Sequence, residues 1–293
     1  MQSGFETRTW QVDGLALAAR DYPPLKDAGR LPVVCLHGLT RNAKDFDTLA
    51  RGLAERGHRV VVPDMRGRGC SSFDPEPMRY MPATYASDVV ALLDTLGIAR
   101  AIFIGTSMGG IITLLLAALR PSLVAAAVLN DVGPEAAPEG LARIAAYAGK
   151  PATIDNWDDA CRYVRDINAA AFPRFGDEDW QAFARRTFAQ DDQGNPRFDY
   201  DPAISVPIQA GKLKADPEMA WVLFDALCRD RPVLLLRGAL SDIVSEDIAA
   251  RMQARAPSLQ VVQVPDVGHA PLLDEPAATA ALDAFLHPMD TTR

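Results

Sequence analysis

A serine flanked by glycines lies between two apolar segments, and this setting is typical of a nucleophile. Gly105-Thr106-Ser107-Met108-Gly109 matches the pattern G-x-S-x-G, with a strand-like run before it and a helix-like run after it. Such a turn strains the backbone of the serine, so the residues two positions before and after it must be small. The turn exposes the hydroxyl beside the free N–H groups of the following helix.

Other interpretations of the same residues are weaker. A dinucleotide-binding pattern G-x-G-x-x-G needs glycine at position 107, where serine stands. A phosphate-binding loop needs a Gly-Lys-Ser/Thr sequence, which this segment lacks. A serine that only caps the helix is the simplest structural alternative. The strand–turn–helix context favours the nucleophile.

A serine nucleophile needs a base, and the chain contains four histidines. His58 begins a predicted strand, His287 lies in the last predicted helix, and His37 precedes the serine. His269 lies in VPDVGHAPLLDEP, after the last predicted strand, where the order serine, acid, histidine requires the base. A single histidine is more often a surface or packing residue. Position and elimination nevertheless make His269 the predicted base.

Two aspartates at strand ends compete to be the carboxylate that orients the base. Asp242 follows the strand in LLLRGALSD, and Asp131 follows the preceding strand in VLNDVGP. We favour Asp242, because its loop position fits the order of the three residues along the chain. Its alternative role is to cap the next helix.

Backbone N–H groups are expected to stabilise the oxyanion that forms when the serine attacks a carbonyl carbon. One is the N–H of Met108, directly after the nucleophile, and the other is that of Leu39, in the loop after VVCLHG. Removing one such donor typically lowers turnover about 10²–10³-fold. The tripeptide HGL is also compatible with an ordinary glycine turn at a strand end.

The elements that must position these residues alternate in type along most of the chain. TRTWQVDG and LALAARDYP, joined through Asp13-Gly14, predict an antiparallel hairpin. Apolar runs separated by helical patterns follow, and the alternation resumes near the C-terminus; these runs are LPVVCLHG, HRVVVPD, RAIFIGTS, LVAAAVLND, RPVLLLRGALSD and LQVVQVPDVGH. The pattern predicts a mostly parallel sheet with helices on both faces.

Residues 133–217 interrupt this alternation. Strand patterns are absent there, and aromatic residues recur at helical spacing from Tyr147 to Phe188. We predict a helical insertion over 133–217 in a core domain formed by 1–132 and 218–293. An insertion after a strand lies over the sheet edge where open α/β sheets bind ligands. The aromatic residues are expected to pack the insertion more than to line a pocket.

Composition argues against several functional classes. The 293-residue chain has a formal net charge of −8 and no cluster of Lys or Arg, which argues against a nucleic-acid or anionic membrane surface. The apolar run Ile111–Leu119 is too short to span a bilayer, and the N-terminus lacks a signal-peptide pattern. The four cysteines lack disulfide or metal-site spacing. A cytoplasmic protein without metal or cofactor is predicted.

Five segments, LHGL, PDMRGRGCSS, GTSMGG, GALSD and VGHAPLLDEP, match the motifs of one superfamily in order and spacing. On these segments the chain resembles the α/β-hydrolase superfamily over nearly its whole length, and residues 133–217 resemble its helical cap domain. The chain is most similar to capped bacterial hydrolases that include esterases, enol-lactonases and carbon–carbon bond hydrolases of aromatic breakdown. Cys70 stands where the family often has another small or charged residue, and we expect it to pack.

The resemblance implies hydrolysis of carboxylic esters or lactones of small, largely apolar substrates through an acyl-enzyme on Ser107. Haloalkane dehalogenases and epoxide hydrolases carry aspartate as the nucleophile, so Ser107 argues against those activities. Peroxidase-like activity, cleavage of a carbon–carbon bond in a vinylogous diketone, and a non-catalytic binding module on the same fold remain alternatives. The expected partner is a small-molecule substrate, and the chain is either a monomer or a homodimer.

Overall fold

The structure is a computed structural model that describes residues 4–150, 152–212 and 216–290. The strands within these residues are β1 (Glu6–Val12), β2 (Leu15–Tyr22), β3 (Val33–Leu36), β4 (Val60–Asp64), β5 (Ala101–Thr106), β6 (Val124–Asn130), β7 (Phe188–Gln190), β8 (Pro196–Phe198), β9 (Val233–Gly238) and β10 (Gln260–Val264). The α-helices are α1 (Asp47–Glu55), α2 (Pro82–Thr95), α3 (Met108–Leu119), α4 (Pro138–Tyr147), α5 (Trp157–Asn168), α6 (Asp177–Thr187), α7 (Val206–Gln209), α8 (Pro217–Cys228), α9 (Glu246–Arg255) and α10 (Pro276–Asp290).

Eight strands form one sheet in the order β1-β2-β4-β3-β5-β6-β9-β10. The β1–β2 and β2–β4 pairs are antiparallel, and the other pairs are parallel. Two separate clusters of buried apolar side chains lie against the sheet and the flanking helices. The predicted α/β architecture with a mostly parallel sheet is therefore confirmed.

The central strands are mostly apolar because helices cover both faces of the sheet. All residues of β3, β6 and β9 are buried, whereas β10, at the sheet edge, keeps exposed positions. The hairpin predicted at Asp13-Gly14 is also confirmed. Both turn residues have positive φ, 53° and 78°, as a two-residue hairpin turn requires. Among the described residues, no helix combines the length and the apolar character needed to cross a membrane.

The segment between β6 and β9 contains α4 to α8 and a small antiparallel hairpin formed by β7 and β8. The prediction that this segment lacks strands is wrong, since strands of three residues are too short to show an alternating pattern. Helix α8 begins at Pro217 and packs against α3. The predicted boundaries of the insertion stay a prediction, and residues 151 and 213–215 within it lie outside the described residues.

Aromatic residues of the insertion pack on one another, and three of them, Tyr147, Phe172 and Phe183, also line the cavity described below. Phe172 and Phe175 stack with ring centroids 4.6 Å apart, and Trp180 and Phe183 meet them edge-on or tilted. The side chains of Phe172, Trp180 and Phe183 are buried. This cluster joins α6 to the turn after α5.

The segment PDMRGRGCSS forms a tight loop after β4 that a buried carboxylate holds together. Asp64 accepts hydrogen bonds from the backbone N–H groups of Ala43 (2.7 Å) and Cys70 (3.0 Å). The expectation that Cys70 packs in the interior is wrong, because its side chain is exposed and only its backbone is used. The fully buried Arg66 forms ion pairs with the buried Asp74 (2.7 Å) and Asp88 (2.5 Å).

Candidate active site

Ser107 occupies the sharp turn between β5 and α3, with φ 52° and ψ −115°. The glycines beside it are required by close backbone contacts. A Cβ atom at Gly105 would lie 2.5 Å from the backbone of Gly109, and one at Gly109 would lie 2.0 Å from the carbonyl oxygen of Leu36. Because Gly105 and Gly109 have no side chains, the first turn of α3 can pack directly against β3, and Ser107 is held at the end of β5.

The structure brings Ser107 and His269 together. Nε2 of His269 lies 2.9 Å from Oγ of Ser107. The histidine follows β10, and the loop that carries it is fastened by a hydrogen bond from the N–H of Gly268 to the carbonyl of Ala171 (2.7 Å). Only 8% of its side chain is exposed. The imidazole is therefore a fixed neighbour of the serine hydroxyl.

The structure corrects the predicted acid. Nδ1 of His269 lies 2.8 Å from Oδ2 of Asp131, whereas the carboxylate of Asp242 accepts two hydrogen bonds from Arg143 of α4, at 2.6 and 2.8 Å. Burial alone would raise the pKa of Asp242, but the Arg143 guanidinium holds that pKa below its ordinary value.

The order of the strands in the sheet explains why Asp131, and not Asp242, lies beside His269. Strand β6 pairs directly with β5, and Asn130 lies opposite Thr106, so the residue after β6 comes beside the residue after β5. Strand β9, which precedes Asp242, lies one strand farther from β5. The sequence shows that both aspartates follow strands but does not show which strand is adjacent to β5.

Asp131 is fully buried and has φ 53°. Its Oδ1 accepts the N–H of Gly238 (3.0 Å), and its Oδ2 accepts the hydroxyl of Ser241 (2.6 Å) as well as the imidazole. The Ser241 oxygen in turn accepts backbone N–H groups of Ile243 (3.1 Å) and Val244 (2.9 Å), which directs its own proton to Asp131. The segment GALSD thus contributes its serine to the site rather than its aspartate.

These partners fix the tautomer of His269. A carboxylate only accepts hydrogen bonds, so Nδ1 carries the proton that is donated to Asp131. Nε2 is then free to accept the hydroxyl proton of Ser107. The arrangement can therefore remove a proton from the serine when the serine attacks an electrophile.

The predicted oxyanion donors lie beside the serine. Met108 is the first residue of α3, where backbone N–H groups lack partners within the helix. A Cβ atom at Gly38 would lie 3.8 Å from Cβ of Ser107, so the loop that continues to Leu39 runs against the nucleophile. Leu39 lines the same cavity as Ser107. The use of these two N–H groups to bind an oxyanion stays a prediction.

His37 supports this loop, a role that sequence reasoning missed. It is fully buried, and Nε2 accepts the N–H of Met65 (3.0 Å) while Nδ1 donates to the carbonyl of Gly38 (2.8 Å). That carbonyl belongs to the same peptide group as the N–H of Leu39. Burial lowers the pKa of His37 to about 4, so the ring is neutral near neutral pH. The fully buried Arg68 adds a hydrogen bond to the carbonyl of Leu39 (3.0 Å).

Ser107 and His269 open onto a cavity between the sheet edge and the inserted segment. Its walls mix polar and apolar side chains, which include Thr40, Arg41, Tyr147, Asn168, Phe172, Phe183 and Leu272. The small, largely apolar substrates predicted from the sequence stay a prediction. Within the residues that the structure describes, no group of three or more His, Cys, Asp or Glu side chains is arranged to hold a metal ion.

Known proteins resemble this chain over most of its length. The sequence model of a family described as alpha/beta hydrolase fold matches residues 32–276. A 3-hydroxybutyrate-oligomer hydrolase of Cupriavidus necator is 38% identical over 260 residues, which cover 86% of this chain and 87% of the relative. An esterase of Mycobacterium tuberculosis is 29% identical over 261 residues, covering 87% and 82%. The crystal structure of an alpha/beta hydrolase from Novosphingobium aromaticivorans matches with a TM-score of 0.90 and 45% identity, covering 98% and 99%.

Proposed function

The chain belongs to the alpha/beta hydrolase fold family, and on that premise we propose that it hydrolyses carboxylic esters or lactones through an acyl-enzyme on Ser107. One observation carries this proposal, the hydrogen-bonded line from Ser107 through His269 to Asp131. The similarity to an esterase and to an oligomer hydrolase supports ester bonds as the target.

The first half of the reaction acylates the serine. Oγ of Ser107 attacks the carbonyl carbon while its proton passes to Nε2 of His269, and Asp131 stabilises the resulting imidazolium. The N–H groups of Leu39 and Met108 donate to the negative carbonyl oxygen. When the tetrahedral intermediate collapses, His269 gives the proton to the leaving oxygen, and an alcohol departs.

The second half releases the acid. Water attacks the acyl carbon and transfers a proton to Nε2 of His269, which then returns a proton to Oγ of Ser107. The products are the unchanged protein together with a carboxylic acid and an alcohol from an ester, or a single hydroxyacid from a lactone. No redox change occurs, and the residues already described hold every transferred proton.

Hydrolysis of p-nitrophenyl butanoate by the wild type and by Ser107→Ala tests this proposal. We expect the variant to lose at least about 10³-fold in kcat, because no other group can form the acyl-enzyme. Ser87→Ala is the matched control, since Ser87 is an exposed residue of α2 whose hydroxyl donates to the carbonyl of Ala83 in the same helix. Equal rates in wild type and Ser107→Ala would contradict the proposal.

Ser107→Ala also distinguishes ester hydrolysis from the alternative reaction, cleavage of a carbon–carbon bond. A dienoic diketone that the wild type cleaves but Ser107→Ala does not, with no cleavage of any ester, would replace ester hydrolysis by carbon–carbon bond hydrolysis. The absence of both activities, with tight binding of a small molecule, would favour a binding module.

A further inference from the structure

We propose that a second cavity beyond the first is a subsite for an acyl chain that carries its own ester group, as in a short oligomer of ester-linked hydroxyacids. This inference rests on the proposed function and names the substrate class of the same site. The second cavity shares Thr40, Arg41, Tyr147, Asn168 and Phe183 with the cavity at Ser107. The two cavities are therefore adjacent, and the substrate chain is proposed to occupy both as one slot that leads from Ser107 into the inserted segment.

Arg41 lies where the two cavities meet, and the protein already holds its guanidinium in place. Nε and Nη2 donate to the two oxygens of Asp45, at 2.7 and 2.5 Å, and Nη1 donates to the hydroxyl of Thr187. The guanidinium carbon lies 4.3 Å from the centre of the Phe183 ring. These bonds use three of the five N–H groups that an arginine carries. One on Nη1 and one on Nη2 remain for a ligand, which would meet a donor that needs no reordering.

The carboxylate of Asp45 already neutralises Arg41, which favours a neutral acceptor over a second carboxylate at this guanidinium. The side chains of Arg41 and Asp45 are only 16% and 20% exposed. Burial alone would raise the pKa of Asp45, but Arg41 holds that pKa below its ordinary value, so the pair is ionised and has no net charge. A second carboxylate would have to be desolvated next to Asp45, which is unfavourable. A carbonyl oxygen carries no such cost.

The inner cavity offers further neutral donors and a short apolar wall. The Tyr163 and Tyr200 rings line it, together with Val164, Ile167 and Phe198. Burial is the main cause that raises the pKa of Tyr163, and its hydroxyl pairs with that of Tyr200. Both phenols are neutral and one hydroxyl proton is used between them, so the pair keeps the other proton for a ligand. The alkyl walls are interrupted by hydroxyl groups, a pattern that suits a chain with alternating carbonyls and short alkyl branches.

A plain fatty acyl chain fits this slot less well. It would bury the free N–H groups of Arg41 and the remaining hydroxyl proton of the Tyr163–Tyr200 pair without giving them an acceptor, which is unfavourable. A hydroxyacid oligomer places an ester carbonyl one unit away from the bond being cleaved. The relative from Cupriavidus necator is by its name a hydrolase of such oligomers.

Two matched p-nitrophenyl esters test the inference. One carries the acyl dimer 3-(3-hydroxybutanoyloxy)butanoate, and the other is its carbon isostere, in which CH₂ groups replace the inner ester. We expect the wild type to prefer the oxygenated ester by about 10–100-fold in kcat/KM, as expected when a site has polar groups to pair. Tyr163→Phe and Arg41→Lys should each reduce this preference several-fold.

Tyr22→Phe is the matched control, because its hydroxyl is also a buried hydrogen-bond donor, to Asp47 (2.6 Å), but lies outside both cavities. Its preference between the two esters should equal that of the wild type. If Arg41→Lys fails to fold, Tyr163→Phe decides the question.

The outcomes separate this inference from the proposed function. Ser107-dependent hydrolysis of p-nitrophenyl acetate with no preference between the two long esters would overturn the subsite alone. A preference that persists in both variants would also overturn it. Absence of any Ser107-dependent ester hydrolysis would overturn both.

Discussion

Asp131 and Asp242 follow neighbouring strands, yet only Asp131 contacts the imidazole of His269. Asp131 is fully buried and anchored by a backbone N–H and by Ser241, so its carboxylate cannot turn away from the base. Asp242 is partly exposed and is bound to Arg143. At the scale of single residues, the two aspartates therefore differ in the groups that hold their carboxylates, and substitution of each can measure the effect on turnover.

We expect Asp131→Asn to lower kcat about 10³–10⁴-fold, because an amide would favour the wrong tautomer of the imidazole and leave the imidazolium without a counter-charge. Asp242→Asn should lower it by no more than several-fold. Turnover of p-nitrophenyl butanoate by the two variants, with their folding checked by circular dichroism, makes the comparison. A larger loss in Asp242→Asn would restore the acid first predicted from the sequence.

The sequence identifies two members of this site for different reasons. Ser107 stands in a motif whose glycines have steric causes, and His269 is the histidine that the order of the chain allows. Asp131 could not be chosen over Asp242 in this way, because the choice depends on β6 lying beside β5 in the sheet, which the sequence does not show. His37 carries no local signal for its role, since a histidine at a strand end has many uses.

His37 provides a second prediction about single residues. His37→Gln keeps an acceptor for the N–H of Met65 but loses the donor to the carbonyl of Gly38. We expect kcat to fall by up to about 10²-fold with little change in KM, because the Leu39 N–H would no longer be oriented. His58→Gln is the control, since His58 is also buried and bonds to a backbone carbonyl, that of Leu31 (2.8 Å), outside the cavity at Ser107. Equal kcat in both variants would contradict this role.

The same variant has a consequence for stability. Burial lowers the pKa of His37 from 6.5 to about 4, so between these values the unfolded chain binds more protons than the folded one. The wild type therefore loses stability as the pH falls through this interval, by up to about 3 kcal/mol from this group. His37→Gln lacks this loss, and urea unfolding near both ends of the interval should show the two proteins converging at low pH. Parallel pH profiles would contradict it.

At the scale of elements, the contact between α3 and β3 decides where Ser107 lies. Gly109→Ala would place a methyl group 2.0 Å from the carbonyl oxygen of Leu36, so α3 would have to move away from the sheet. We expect a loss of stability of several kcal/mol, roughly the upper range for overpacking, and a loss of turnover.

Gly52→Ala is the matched substitution in another helix. Gly52 lies within α1, and a Cβ atom there would have no neighbour within 4 Å. Alanine is the better helix former, so this variant should gain about 0.5–1 kcal/mol. Chemical denaturation of both variants makes the test. Similar effects of the two substitutions would show that the close contact of Gly109 is unimportant.

A helix or strand could be predicted from the sequence when its run or repeat of apolar residues was long enough to show a pattern. The strands of the main sheet and the helices between them come from apolar runs or repeats of five residues or more, and their order along the chain is confirmed. Strands β7 and β8 were missed because three residues show no period. Their pairing depends on Phe188 and Phe198, whose rings lie 5.1 Å apart after folding.

At the scale of the whole molecule, Arg66 joins distant parts of the chain. It bonds to Asp13 in the first hairpin turn, to Asp74 after the β4 loop and to Asp88 of α2. Arg66→Met would leave Asp88 buried without this cation and Asp74 with only the longer ion pair to Arg79 (4.0 Å). We expect a loss of about 3–5 kcal/mol in the free energy of unfolding, while the folded fraction keeps its turnover.

Arg120→Met is the control for this loss. Arg120 pairs with Asp94 at the surface, with side chains 46% and 58% exposed, so its removal should cost less than about 1 kcal/mol. Urea unfolding of both variants gives the comparison. A loss at Arg66 no larger than that at Arg120 would show that the buried pairs do not hold the hairpin and α2 together.

The three residues of the hydrogen-bonded line from Ser107 through His269 to Asp131 follow strands that differ in their position in the sheet. The serine and the aspartate follow β5 and β6, which are paired inside the sheet, whereas His269 follows β10 at its edge. Edge elements open at lower free energy than central ones. On gradual heating, turnover should therefore disappear before the circular dichroism signal of the sheet does. Loss of activity in this temperature range would result from the His269 loop moving away from Ser107 while the sheet stays folded. Activity would then return on cooling without any refolding of the interior.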